Sequence, residues 1–192
     1  MEWIKGNRYL SSDEMKNNAI LAFRYLSSKG WSLNAIAGVL GNMEIESTIN
    51  PGIWQNLTET ASNGFGLVQW TPSTNFTEWA ISKGYAIDDG NAQLRWIDEE
   101  TVNNGQWIPT SDYDLSFDEF KKSSKDPSWC ASAFLKNFER AGVEKEMDRR
   151  VNAIAWKIYI ETSEDLPGSP TTKPKKKKKF NFILFNARRR QM

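Results

Sequence analysis

With 192 residues, 39% of them hydrophobic and nine Trp and ten Phe among them, the chain has material for one globular domain with some length left over. The net charge of +1 hides a division: residues 166–192 hold nine Lys and Arg and no Asp or Glu, so residues 1–165 carry −8. There is no histidine and one cysteine, Cys130, which excludes Ser-His-Asp and Cys-His nucleophiles, His-containing zinc sites and an internal disulfide.

Met1 to Asn7 lacks the apolar core of a signal peptide, and no run approaches bilayer length, so neither a secretory leader nor a transmembrane segment is expected. Ser11 and Glu14 stand at capping-box spacing and open a first helix through Ile20, Phe23 and Leu26 that Lys29-Gly30 closes. Ser32 caps a second helix, Leu33 to Met43, apolar on nearly all sides and therefore buried. Asn50-Pro51-Gly52 stops it.

From Ile53 to Trp70 the pattern is short, aromatic and punctuated by glycine, with Asn63-Gly64 as a turn, and predicts a small β-hairpin lobe. Thr71-Pro72 predicts the start of a third helix through Phe76 and Trp79. Further helices are expected over Asn91–Val102, after the capping box Ser116–Glu119, after Asp126-Pro127, and from Lys145 to Ile160 with Val151, Ile154, Ala155 and Ile158 at helical spacing. Cys130, beside Trp129, reads as a small core residue. The fold class is mainly α (α+β), with residues 1–163 as the folded domain. Residues 164–192 form a Pro/Lys-rich linker or anchor whose five-lysine run precedes Phe180 to Phe185 and Arg188 to Arg190.

Two carboxyls, Glu44 and Glu46, fall in the last turn of the buried helix. The partial negative charge of a helix C-terminus disfavours an anion there, and desolvation favours the protonated acid. Such a carboxyl suits general-acid chemistry. Counted from Leu40 at helical spacing, Glu44 lies nearer the Leu33–Leu40 stripe, so periodicity alone does not choose between the two.

Glu46-Ser47, with Gly66-Leu67-Val68-Gln69 about twenty residues on, resembles the layout of goose-type lysozymes and lytic transglycosylases. The longer strings, Leu40 to Met43, Asn50 to Asn56 and Gly64 to Pro72, look like the lysozyme module of phage tail lysins. They are closest to the N-terminal domain of tail-tip (tail-knob) proteins of short-tailed phages of Gram-positive hosts. Phe138-Glu139-Arg140-Ala141 resembles that family's Glu-Arg motif, and the likeness covers residues 8 to about 160.

This resemblance implies a two-lobed lysozyme-like fold and a virion-associated peptidoglycan muramidase. The enzyme would cut the β-1,4 bond between N-acetylmuramic acid and N-acetylglucosamine during entry, with Glu46 as general acid. Ser47, Trp54, Phe65, Gln69, Trp70 and Glu139 would touch the substrate, with no metal and no cofactor. A lytic transglycosylase using Glu46, or a non-catalytic glycan-binding tail protein, fits the same motifs. Glu139 reads either as a structural partner of Arg140 or as a second carboxyl; Asp88, Asp89 and Asp98 are the other candidates for a base. Peptidoglycan and neighbouring tail proteins, the latter through residues 164–192, are the expected partners. The acidic body argues against nucleic acid. The implied location is the virion tail tip, acting on the host wall after synthesis in the host cytoplasm.

Overall fold

The computed structural model describes residues 1–142 and 145–163; the predicted linker, 164–192, lies outside them. Seven α-helices run in order among these residues: α1 (Ser12–Ser28), α2 (Leu33–Ser47), α3 (Thr74–Ser82), α4 (Gly90–Arg95), α5 (Phe117–Lys121), α6 (Pro127–Phe134) and α7 (Glu146–Thr162). The fold is mainly helical, as expected. Both capping boxes form: the Ser11 and Ser116 hydroxyls accept from the Glu14 and Glu119 backbone N–H, and each glutamate side chain answers in return. Ser32 and Asp126 cap α2 and α6 as their side chains allow. The start of α3 differs. Ser73, not Thr71, holds the cap position, and the Thr71 hydroxyl turns back to donate to the Gln69 carbonyl.

Helix α2 is the axis of the packing, flanked by α1, α6 and α7, and every residue from Ala35 to Met43 is buried. A helix surrounded this closely needs small residues where neighbours cross. A Cβ on Gly38 would stand 2.6 Å from the Cys130 Cβ on α6, so Cys130 is the small core residue expected. One on Gly41 would stand 2.8 Å from the Ala153 N of α7 and closer still to the Arg149 carbonyl.

That second crossing overturns the reading of α7. The helix forms where predicted, but Val151, Ile154 and Ile158 face outward with Met147, each about half exposed or more. The buried face is Arg149, Ala153, Trp156 and Ile160. The close approach at Gly41 requires the small Ala153 opposite it, and packing overrides the more hydrophobic stripe.

Residues 53–70 form only isolated antiparallel bridges, Trp54 with Phe65 and Phe65 with Trp70, so a strand-built hairpin lobe is not seen among the described residues. Side-chain anchors hold this region instead. Gln93 accepts from Leu67 N (2.8 Å) and donates to the carbonyls of Pro51 (2.7 Å) and Ile87 (2.8 Å). Gly66 lies against it with φ +77°, where a Cβ would meet the Gln93 carboxamide at 2.6 Å. Among the described residues no helix is long and apolar enough to cross a membrane.

Gly41→Ala is expected to destabilise the domain by about 1–3 kcal/mol through overpacking against α7. The urea midpoint should fall with an unchanged slope, whereas Gly142→Ala, exposed, with open space around it and no left-handed φ, should lack that overpacking cost.

Candidate active site

Helix α2 delivers Glu46 to the wall of a groove of about 580 Å³. The helix ends sharply just beyond it: Thr48 and Ile49 both take left-handed conformations, φ 55° and 53°, which β-branched residues rarely adopt. Polar side chains hold that end in place. The buried Ser47 hydroxyl donates to the carbonyls of Met43 (2.9 Å) and Leu67 (2.9 Å) and accepts from Asn50 N (3.3 Å). Asn50, also buried, donates to the carbonyls of Gly6 (2.7 Å) and Arg8 (2.6 Å), tying the N-terminal segment to the same corner.

Glu46 meets a partner that the sequence did not reveal. Arg149, 2% exposed in its side chain, reaches from α7 and donates through Nη2 to Glu46 Oε1 at 2.5 Å. Its Nη1 donates to Asn42 Oδ1 at 3.0 Å. Asn42 is held in turn by donating to the carbonyls of Gly38 (2.9 Å) and Ala131 (3.0 Å). The carboxyl at the helix end is therefore, at Glu46, one member of an ion pair whose cation is buried and whose anion is partly exposed. Glu44 takes a different surrounding and accepts from Trp156 Nε1 at 2.8 Å. Burial pushes its carboxyl above the ordinary range, and the indole bond works the other way.

Glu139 enters the same groove from the turn that follows α6. After α6 the helix widens into a π turn, Leu135–Glu139, and ends where Arg140 turns left-handed at φ 48°. Asn137 pins the turn by donating to the Tyr113 carbonyl (2.8 Å) and accepting from Thr110 N (3.1 Å), and Phe138 stacks on Phe134. Arg140 donates to the carbonyls of Gln106 (2.6 Å) and Asn137 (2.8 Å), and among the described residues it makes no ion pair with Glu139. Glu139 Oε1 is buried with no hydrogen-bond partner there. Its burial first, then the charge of Glu46, hold this carboxyl well above its usual range, while Arg149 and Arg140 oppose the shift.

Of the other residues singled out from the sequence, Trp54, Gln69 and Trp70 line the groove with Glu46 and Glu139. Gln69 commits its amide N–H groups to the carbonyls of Ile53 (3.2 Å) and Gly66 (3.0 Å). Trp54 and Trp70 are nearly buried, so neither offers an open ring face to the groove. Two placements differ from expectation. Phe65, 1% exposed, lies behind Trp54 with ring centres 4.5 Å apart. Ser47, wholly buried, spends its hydroxyl on the backbone, so neither residue lines the groove.

The alternative bases are also occupied elsewhere. Asp88 pairs with Lys5, Asp89 caps α4, and Asp98 accepts from Trp31 Nε1 at 2.7 Å and from Lys121. Sequence reasoning missed Tyr9, which is 44% exposed on the groove, and Arg149. An arginine in register with Ala153 and Trp156 was the only sign of the latter.

A helix-end glutamate and a second carboxyl thus line one groove with Trp54 and Trp70. The family model for phage tail lysozymes matches residues 17–160. The chain belongs to the phage tail lysozyme family. Over 151 residues it is 47% identical to Morphogenesis protein 1 of Bacillus phage B103, an alignment spanning 78% of this chain and 41% of that protein. The chain thus spans less than half the length of that relative. Glu46, Glu139 and Arg149 all lie within the stretch matched by the phage tail lysozyme family.

Two outcomes follow from this geometry. Arg149→Leu should cost about 3–5 kcal/mol in urea unfolding, because it strands a partly buried carboxylate and the Asn42 carbonyl. The cost should be smaller when Glu46→Gln is already present. Glu44→Gln keeps an acceptor for Trp156 and removes the buried acid. Because the folded acid is raised above its unfolded value, its contribution is complete below that value and is lost as pH rises through the folded one. Thermal melts should therefore show Glu44→Gln matching the parent in acid and exceeding it near neutral pH.

Proposed function

We propose that this domain is a virion-borne muramidase that cuts peptidoglycan glycan strands during phage entry, with Glu46 as the general acid. The observation that carries the reading is the convergence of two carboxyls, Glu46 from α2 and Glu139 from the turn after α6, on one groove. The groove's volume of about 580 Å³ falls within the ordinary range of small-molecule sites.

In this reading Glu46 protonates the bridging oxygen between N-acetylmuramic acid and N-acetylglucosamine. The departing sugar leaves an oxocarbenium-like ring that water captures. The Arg149–Glu46 ion pair fixes the carboxyl against α2 and leaves Oε2 for the substrate. Trp54, Trp70 and Tyr9 give edges and a hydroxyl along the sugar path, and Gln69 offers its amide oxygen to an acetamido N–H. Ser47 and Phe65 support the groove from behind. A second carboxyl in the groove favours hydrolysis over the single-acid ring closure of a transglycosylase. The two-lobed lysozyme-like arrangement is then α2, α6 and α7 on one side and residues 53–70 on the other.

The domain boundary near residue 163 and the role of the basic segment beyond it belong to the same proposal. Residues 164–192 act as a linker or anchor to neighbouring tail proteins at the tail tip. No nucleic acid and no cofactor take part.

The test is a peptidoglycan zymogram of the parent beside Glu46→Gln, with mass spectrometry of the products. Clearing should fall by about 10²–10⁴-fold in the variant, and the parent's products should carry reducing ends. Equal clearing by both proteins defeats the assignment of Glu46, and anhydro-muramyl ends replace the hydrolase with a transglycosylase.

A further inference from the structure

The groove holds more acid than a single-glutamate mechanism uses. Glu139 has its Oε1 in a dry position with no hydrogen-bond partner among the described residues, an arrangement that a merely structural glutamate would not need. The charged and titratable groups around it come from several directions. Glu46 acts on it from α2, Arg149 from α7 and Arg140 from the next position in the chain, and Tyr9 borders the same groove. Arg140 is exposed and directs its guanidinium at the carbonyls of Gln106 and Asn137. Arg149 is therefore the buried cation that faces both carboxyls. Two carboxylates against one buried guanidinium would leave excess negative charge beside an oxygen sealed from water, which the site avoids by keeping one proton.

We propose that Glu46 and Glu139 work as a pair sharing one proton, seated at rest on Glu139 and delivered to the glycosidic oxygen through Glu46. The inference rests on the glycan-cleaving reading of the groove and deepens it. The steps balance as follows. The Glu139 O–H bond breaks and its proton is relayed by water in the groove to Glu46 Oε2, the oxygen Arg149 does not hold, because no hydrogen bond joins the two carboxyls directly among the described residues. Glu46 then protonates the bridging oxygen as the C1–O bond breaks, and that bond's electron pair stays on the oxygen, which becomes the hydroxyl of the released strand. Water adds to C1, and its surplus proton returns to the pair. Glu139 is thus a proton-holding and positioning residue that acts through Glu46, and the acid of the reaction is the pair.

Glu139→Gln separates this role from a structural one, because a carboxamide reproduces the shape and neutrality of a protonated glutamic acid but cannot give up the proton. In the full chain, parent kcat should fall as pH rises through an apparent value above the ordinary carboxylate range. Glu139→Gln should lower kcat near neutral pH by about 10²-fold, move that descending limb to lower pH and change KM little. A Glu139→Gln profile that superimposes on the parent overturns the proposal.

An activity-independent measurement is carbon NMR titration of the full chain with labelled glutamate. Besides that of Glu44, which stays in place in both variants, one carboxyl should titrate above the ordinary range in the parent and vanish in Glu139→Gln. In Glu46→Gln it should move down, because the negative charge that repels ionisation is gone. No such signal overturns the pair whatever the activity. The expected titration in a protein that clears no glycan would uphold the shared proton and overturn both the glycan-cleaving reading and the delivery step. If Glu139→Gln fails to fold, the shift in Glu46→Gln still decides.

Discussion

A guanidinium sealed inside helical packing has to be answered by acceptors that are themselves fixed, and here two of them come from α2. Arg149 binds Asn42 one turn before Glu46 and Glu46 itself. The ion pair forms because Gly41 lets α7 approach α2 closely enough to bring that side chain in register. One small residue thus fixes the distance between two helices, and that distance places the charge beside the carboxyl. Burying a charged pair seldom adds stability relative to an apolar replacement, while breaking one is costly. Its use here is to hold a carboxyl oxygen at a defined point on the groove wall.

The groove is bordered by chain that leaves regular structure abruptly. Thr48, Ile49, Asn56, Gln69 and Arg140 all have positive φ without being glycine, and they lie on or beside its walls. Conformations of this kind cost free energy and persist only where surrounding contacts over-determine them. Those contacts are visible: Asn50 anchors the N-terminal segment, Gln93 holds the Gly66-Leu67 turn, Asn137 and Gln106 hold the turn that carries Glu139. Buried amides, more than strand pairing, therefore shape the side of the groove opposite the helices.

The two carboxyls differ because their surroundings differ. Glu46 has a cation in contact and a route to solvent, whereas the Oε1 of Glu139 is sealed from solvent and has no hydrogen-bond partner among the described residues. Such divergence between neighbouring acids is the arrangement by which one site carries both a proton and a charge.

The helix boundaries were legible in the sequence because capping is a negotiation between a side chain and backbone groups three residues away. Ser11, Ser32, Ser116 and Asp126 each do in the structure what their spacing announced. Glu46, at the end of an apolar helix before Asn50-Pro51-Gly52, was legible through its motif, and the all-round apolar character of α2 foretold its central place. The buried face of α7 was not legible, since hydrophobicity favoured Val151, Ile154 and Ile158 while the crossing at Gly41 demanded Ala153. Nor were the partner of Glu46, 103 residues distant, or the dry seat of Glu139. Local hydrogen bonding and periodicity are written into neighbouring residues. Which charge meets which across the core depends on how closely helices pack, and only the tertiary structure decides that.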